Sequence, residues 1–151
     1  MPKNINQEET VVDAVYEEVE QNDGDLLKAL LSVEDEVTKM VWMPRFGAHF
    51  KVRGIPADEY ARLENRCKYM VKNKRTGRVE EKVDQEKLSL MLIQAGCISP
   101  DWSNPKLLEK YKVTEAAEVI QKRLLMGEVT TLSAAVMDAS GYFNGVETIK
   151  N

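Results

Sequence analysis

The sequence predicts an α+β fold that is predominantly helical: an N-terminal β-hairpin, with a second short hairpin after it, packed on a bundle of about five short helices. Three observations predict it. Val37–Met43 and Ala48–Arg53 alternate apolar and polar residues with period two and are separated by Pro44–Gly47. A charged stretch, Lys72–Val83, carries the turn pair Thr76-Gly77 near its middle. From Pro56 onward, apolar residues recur at intervals of three and four, punctuated by capping residues and glycines.

The chain has 151 residues, room for one domain of ordinary size, and its 43% hydrophobic and 30% charged residues are globular values. The predicted organisation is an acidic arm over 1–24, a single globular domain over 25–143 and a polar tail over 144–151. Residues 1–25 hold eight acids and one base, a net −7; the whole chain is −4, so the remainder is +3. Val11, Val12, Val15 and Val19, with Tyr16 beside them, recur at helical spacing in the arm. That pattern suits an amphipathic helix, and equally a solvated segment that orders against a partner. Asn22-Asp23-Gly24 reads as a turn at the boundary, after which Asp25 caps a short helix through Leu26, Leu27, Leu30 and Leu31.

In the first hairpin, Val41 and Met43 share a face, and His49, Lys51 and Arg53 alternate with Ala48, Phe50 and Val52. Pro56 opens a helix with Tyr60, Leu63, Cys67 and Met70 on one side. Asp84 caps the next, whose Leu88, Leu90, Met91, Leu92 and Ile93 make it apolar nearly all round; it is expected in the middle of the core, stopped by Gly96. Ser99–Ser103 reads as a loop, and Asn104-Pro105 as a cap and first residue of a helix over Lys106–Tyr111. Thr114 is expected to cap a helix bearing Val119, Ile120 and Leu124, ended by Gly127. The last helix turns Val129, Leu132, Val136 and Ala139 inward and ends at Gly141.

The chemistry-bearing residues are sparse, so no catalytic, cofactor-binding or metal-binding residues are assigned. His49 is the only histidine, and with Cys67 and Cys97 it has no metal-site spacing. It reads as a strand residue on a wet face, and no nucleophile elbow accompanies it. The eight glycines are scattered, with no phosphate-cradling cluster. The pairs Asp58-Glu59 and Glu80-Glu81 fall on a first helical turn and a hairpin flank, where solvated charge is expected. The N-terminal MPKNINQEET lacks the apolar core of a secretory signal, and no run approaches the ~20 apolar residues of a membrane span. The two cysteines are then expected to be free thiols in a reducing compartment, and the protein a cytoplasmic one that works by binding another protein.

One basic segment offers an alternative. Lys68, Lys72, Lys74, Arg75, Arg78 and Lys82 lie close together near Tyr69, and such a hairpin can neutralise phosphates. On that alternative the protein is a small nucleic-acid-associated helical module using residues 68–82. Glu80 and Glu81 interrupt the run, the sequence pI is about 5.2 and no aromatic stacking series is present, so a solvated hairpin is preferred.

The order of short motifs is more distinctive than any one of them. Pro44-Arg45-Phe46 leads to His49-Phe50-Lys51-Val52-Arg53 and Ile55-Pro56-Ala57-Asp58-Glu59-Tyr60; Cys97-Ile98-Ser99-Pro100-Asp101-Trp102 follows; then Leu108–Val113, Leu124-Leu125-Met126-Gly127-Glu128-Val129 and the closing Ala139-Ser140-Gly141-Tyr142. From about Val33 to Phe143 this resembles the XkdN-like tail assembly chaperones of long-tailed phages and PBSX-type phage-like elements. Lys112 departs from the glycine that the family often has before the valine, which implies a less sharply ended helix there. The acidic arm lies outside the resemblance.

The resemblance implies a non-enzymatic chaperone without cofactors. It would bind the tape measure protein, keep it soluble, and be displaced as tail tube protein polymerises. It would act in the bacterial host cytoplasm and be absent from the mature virion. The motif residues would serve the fold: Gly127 as a left-handed helix stop, Glu128 at the start of the next helix, Pro100-Asp101 as a turn between helices. Grooves between helices would accept an amphipathic client helix, with no gripping residues specified. Met70, Met91, Met126 and Met137 are flexible enough to adapt to varied partners, although filling gaps in the core is the larger role for most of them.

Overall fold

A computed structural model describes residues 23–33 and 36–142. The arm as far as Asn22, with its Val11–Val19 pattern, and the tail from Asn144 lie outside the described residues. The chain divides into two compact units between Asp35 and Glu36, and each is taken by itself.

In the first unit, α1 spans Asp23–Ser32. Asp23 and Asp25 both lie within its first turn, where their charge complements the helix dipole. Asp25 therefore does not cap the helix, and Asp23-Gly24 is helical rather than a turn. Aspartate suits both the cap and the first turn, so sequence alone does not separate the two registers. Leu26, Leu27, Leu30 and Leu31 are all exposed.

The second unit runs β1 (Thr38–Met43), β2 (Ala48–Arg53), α2 (Ala57–Arg66), β3 (Lys68–Lys72), β4 (Val79–Val83), α3 (Gln85–Gly96), β5 (Cys97–Ser99), α4 (Pro105–Tyr111), α5 (Ala116–Arg123) and α6 (Met126–Ala139). The first hairpin stands as the alternation predicts, with antiparallel register from Thr38 opposite Arg53 to Met43 opposite Ala48. A single 3-10 turn, Pro44–Phe46, links the strands and ends on Gly47 at φ +57°, a left-handed conformation that favours glycine. Met43, Phe50 and Val52 face the core, while Met40, Trp42 and His49 are exposed. The second hairpin is a separate two-stranded sheet, Lys68 opposite Val83 to Lys72 opposite Val79.

A third strand, β5, extends the first sheet beyond β2, with Lys51 opposite Ser99 and Val52 opposite Cys97. Sequence reading placed Ser99 in a loop; three residues are too few for an alternation to declare itself. Beyond β5, Trp102 is buried and meets Phe50 edge-on at 6.0 Å. The loop thus anchors the sheet to the helical layer. Asp101 Oδ1 accepts the Ser103 N–H at 2.9 Å, fixing the turn after Pro100.

The helices pack in sequence around α3, whose Leu88, Leu90, Leu92, Ile93 and Gly96 are buried. It packs on α6, α5 and α2, and α6 in turn covers β1 and β2. Asp84 caps α3 by accepting the Lys87 N–H at 3.1 Å, and Asn104 caps α4 by accepting that of Lys106 at 3.0 Å. Helix α2 carries Leu63 inward and ends on buried Cys67. Met70 does not continue its face: it sits in β3, 63% exposed, because long-range pairing with β4 overrides the helical spacing.

Helices α3 and α4 end at Gly96 and Tyr111 as expected, but the physical reason at each differs, and the expected boundaries at Gly127 and Thr114 are corrected. Gly96 is the last residue inside α3 and has no positive φ; a Cβ there would lie 2.6 Å from Val136 Cγ1. Its smallness lets α3 and α6 approach, and the chain then leaves through extended Cys97. Gly127 does not stop a helix. Helix α5 already ends at Arg123, Leu124 and Leu125 are extended, and Gly127 lies in the first turn of α6. No left-handed residue is needed there, because the Arg123 carbonyl is taken by the Arg45 guanidinium at 2.8 Å. Thr114 is not the cap of α5; Glu115 holds that position, and the Glu118 carboxylate accepts the N–H groups of both Thr114 and Glu115 at 3.3 Å. Lys112 adopts φ +55° and ends α4 sharply without glycine, its N–H bonded to Glu109 O at 3.2 Å. Gly141, at φ +83°, ends α6 as expected.

Candidate partner-binding groove

The break between α5 and α6 carries three consecutive apolar residues, Leu124-Leu125-Met126. A sharp corner cannot bury all three. Leu124 is 6% exposed, Leu125 59% and Met126 87%. Met126 lines an open groove of about 660 Å³ formed by α3, α5 and α6. Leu90, Leu124 and Val129 supply its apolar lining, and Ser89, Gln121 and Thr130 its polar edge. Glu86 is the one charged residue among its lining side chains. Exposed methionine over an apolar floor is suited to changing shape against a helical partner.

Arg45 and Glu128 hold the corner in place. Arg45 Nε lies 3.0 Å from Glu128 Oε2 and its Nη2 2.6 Å from Oε1, a two-pronged ion pair. Glu128 Oε1 also accepts the Leu125 N–H at 2.8 Å. One carboxylate therefore closes the Leu125 amide at the start of α6 and ties it to the first hairpin. The Arg45 hydrogen bond, with the Leu125 amide assisting, holds the Glu128 carboxyl below the usual range and raises the Arg45 guanidinium. Phe46 lies beneath both Arg45, at 4.6 Å, and Arg123, at 4.9 Å.

The residues weighed for chemistry are dispersed. His49 is exposed on the outer sheet face, its ring 4.8 Å from that of Trp42. Cys67 and Cys97 are free thiols. Burial pushes the Cys97 thiol up to about 11, with the Trp102 indole partly offsetting it. Burial also raises Cys67, whose Sγ lies 3.4 Å from Met91 Sδ. Glu59 pairs with Arg53 at 2.5 Å and Asp58 with Arg62 at 3.5 Å, so the first-turn acids are structural. Glu80 and Glu81 are exposed on β4. Among the described residues, no group of three or more His, Cys, Asp or Glu could hold a metal ion. No described helix is long and apolar enough to cross a membrane.

Sequence reading named Leu124 and Val129 as inward-facing and Met126 as an adaptable side chain, but assembled no groove and missed Leu125. The available signal was the run of three apolar residues at a helix break. The Arg45–Glu128 pair was missed although both residues stand in motifs that had been singled out.

The family described as Phage XkdN-like tail assembly chaperone protein matches residues 25–150. No curated protein matches. The crystal structure of the protein YqbN superposes with a TM-score of 0.53 at 18% identity, covering 72% of this chain and 88% of that one, which shows a shared fold. Several motif-bearing residues organise this fold: Arg45 and Glu128 lock the α5–α6 corner, and Trp102 packs on Phe50 of the sheet. The chain belongs to the XkdN-like phage tail assembly chaperone family.

Proposed function

We propose that the protein is a non-enzymatic chaperone that binds the tape measure protein of its phage or prophage and keeps it soluble until the tail tube polymerises. A tape measure protein is long and helical with apolar faces, and it needs those faces covered before the tube closes around it. The α3–α5–α6 groove carries this reading: an apolar floor of Leu90, Leu124 and Val129 beside exposed Met126 can take the apolar side of an amphipathic helix, and exposed Leu125 precedes Met126 in the chain. Contacts of this kind are modest and open to solvent, so growing tail tube can displace them through fast dissociation. Such a role belongs in the host cytoplasm, ends before the virion is complete, and calls for no cofactor and no reactive side chain.

Co-expression tests it. The tape measure protein of the same element should gain soluble yield and co-purify with the wild-type chain. Leu125→Ser with Met126→Ser should abolish both effects while the melting temperature holds, since both side chains face solvent. A tape measure protein that is neither solubilised nor co-purified by the wild-type chain would sink the reading. Unchanged capture by the double variant would move the site away from this groove.

A further inference from the structure

We infer that the β3–β4 hairpin is a second docking arm, shaped for an acidic protein segment that alternates charged and apolar residues. This goes beyond client binding in the groove, because no hairpin residue lines it. From Lys68 to Val83 the chain carries six bases and two acids, a net +4 within a protein of net −4. Among the described residues, none of those six bases enters an ion pair. The cations are free to meet an acidic partner.

The strands add a second chemistry. None of their ten residues is buried. The pairing places Lys68, Met70 and Lys72 on one face with Val83, Glu81 and Val79, and Tyr69 and Val71 on the other with Lys82 and Glu80. Met70 is 63% exposed, Val79 57% and Tyr69 48%. Along both strands of the first face charged and apolar side chains alternate, Lys68-Met70-Lys72 beside Val83-Glu81-Val79, which suits a partner with the complementary alternation; the second face sets Tyr69 and Val71 beside Lys82 and Glu80. Only Val83, at the base of the hairpin, is packed against the core, so the outer part of this two-stranded sheet is marginal by itself and a docked segment would supply burial there.

The tip is held for recognition. Asn73 N–H bonds to Arg78 O at 2.8 Å, Gly77 N–H to Asn73 O at 2.8 Å, and Asn73 Oδ1 accepts the Arg75 N–H at 2.9 Å. Gly77 takes φ +70°, and these bonds fix the positions from which Lys74, Arg75 and Arg78 project. A nucleic acid would use the cations but leave Met70 and Val79 without a partner, whereas an acidic segment with apolar side chains would cover both.

The test measures binding of the full chain to a synthetic peptide of alternating glutamate and leucine, to polyglutamate of equal charge, and to a single-stranded DNA oligonucleotide. The alternating peptide should bind at least about tenfold more tightly than either control. Lys72→Gln with Lys74→Gln, Arg75→Gln and Arg78→Gln should weaken it by about tenfold or more, and so should Met70→Ser with Val79→Ser. Both sets are exposed, so unchanged thermal melting confirms that the fold is intact. Equal binding of the three probes, tightest binding of DNA, or indifference of the peptide to either variant set would overturn the inference. Because no client protein is present, its failure leaves the groove reading standing, and the reverse holds for the co-expression test.

Discussion

Arg45 and Glu128, 83 positions apart, form a two-pronged ion pair that couples the turn of the first hairpin to the first turn of α6. The same carboxylate closes the Leu125 amide, and the same guanidinium closes the Arg123 carbonyl. Two side chains therefore each take one unpaired backbone group at the corner that presents Leu125 and Met126.

The pair makes acid stability depend on Glu128. Its carboxyl is held below the usual range, chiefly by the Arg45 hydrogen bond, so the unfolded chain binds more protons there as pH falls. The contribution is present above the ordinary glutamate value, about 4.3, and is lost as pH falls through the lower folded value. Glu128→Gln should lower the melting temperature only slightly at pH 7, since the pair is partly solvated, and should flatten its decline below about pH 5. Thermal melts of both proteins across that range check it; parallel acid limbs would refute it.

The two misread glycines should respond in opposite directions to alanine. Gly96→Ala drives a Cβ to 2.6 Å from Val136 Cγ1 and should cost about 1–3 kcal/mol in urea unfolding. Val136→Ala in that background should recover part of the loss, showing coupling between the sites. At Gly127 nothing lies within 4 Å and φ is ordinary, so Gly127→Ala should stabilise by about 0.5–1 kcal/mol. Destabilisation by Gly127→Ala would contradict this placement of the helix start.

Lys112 occupies a conformation that favours glycine, at φ +55°. Lys112→Gly relieves the steric cost of a left-handed residue, partly offset by greater freedom in the unfolded chain. A net gain of about 0.5–1 kcal/mol is expected in chemical denaturation; a loss would mean that the lysine side chain contributes more than its backbone strain.

Both thiols should be inert in the native protein. With Cys97 pushed up to about 11 by burial, its thiolate fraction at pH 8 falls roughly a hundredfold or more below that of a free cysteine. Cys67 is raised in the same direction. Iodoacetamide labelling followed by mass spectrometry should be slow in buffer and fast in urea; equal rates would show the thiols to be accessible.

The first hairpin and both turns were legible in the sequence because alternation and turn residues act over a few positions, as in Ala48–Arg53 and Thr76-Gly77, whereas strand β3 was hidden because Met70 also fits the helical spacing of α2. Asp84 and Asn104 were legible as caps for the same reason. Glycine was not, because a left-handed turn and a close helix approach call for the same residue. Only Val136 reveals which role Gly96 plays. The groove was illegible because its lining comes from three helices separated in the chain.

The sequence by itself determined the first hairpin, the helices of the body, the family, and the poverty of reactive side chains, all of which rest on local pattern and residue identity. The tertiary structure alone decided that Arg45 meets Glu128, that Gly96 is a contact rather than a stop, and that Leu125 and Met126 stay outside while Leu124 is buried. Those outcomes depend on which distant surfaces share one core. Periodicity tells a helix which side is apolar, but long-range packing selects the partner that covers it and the apolar residues left over.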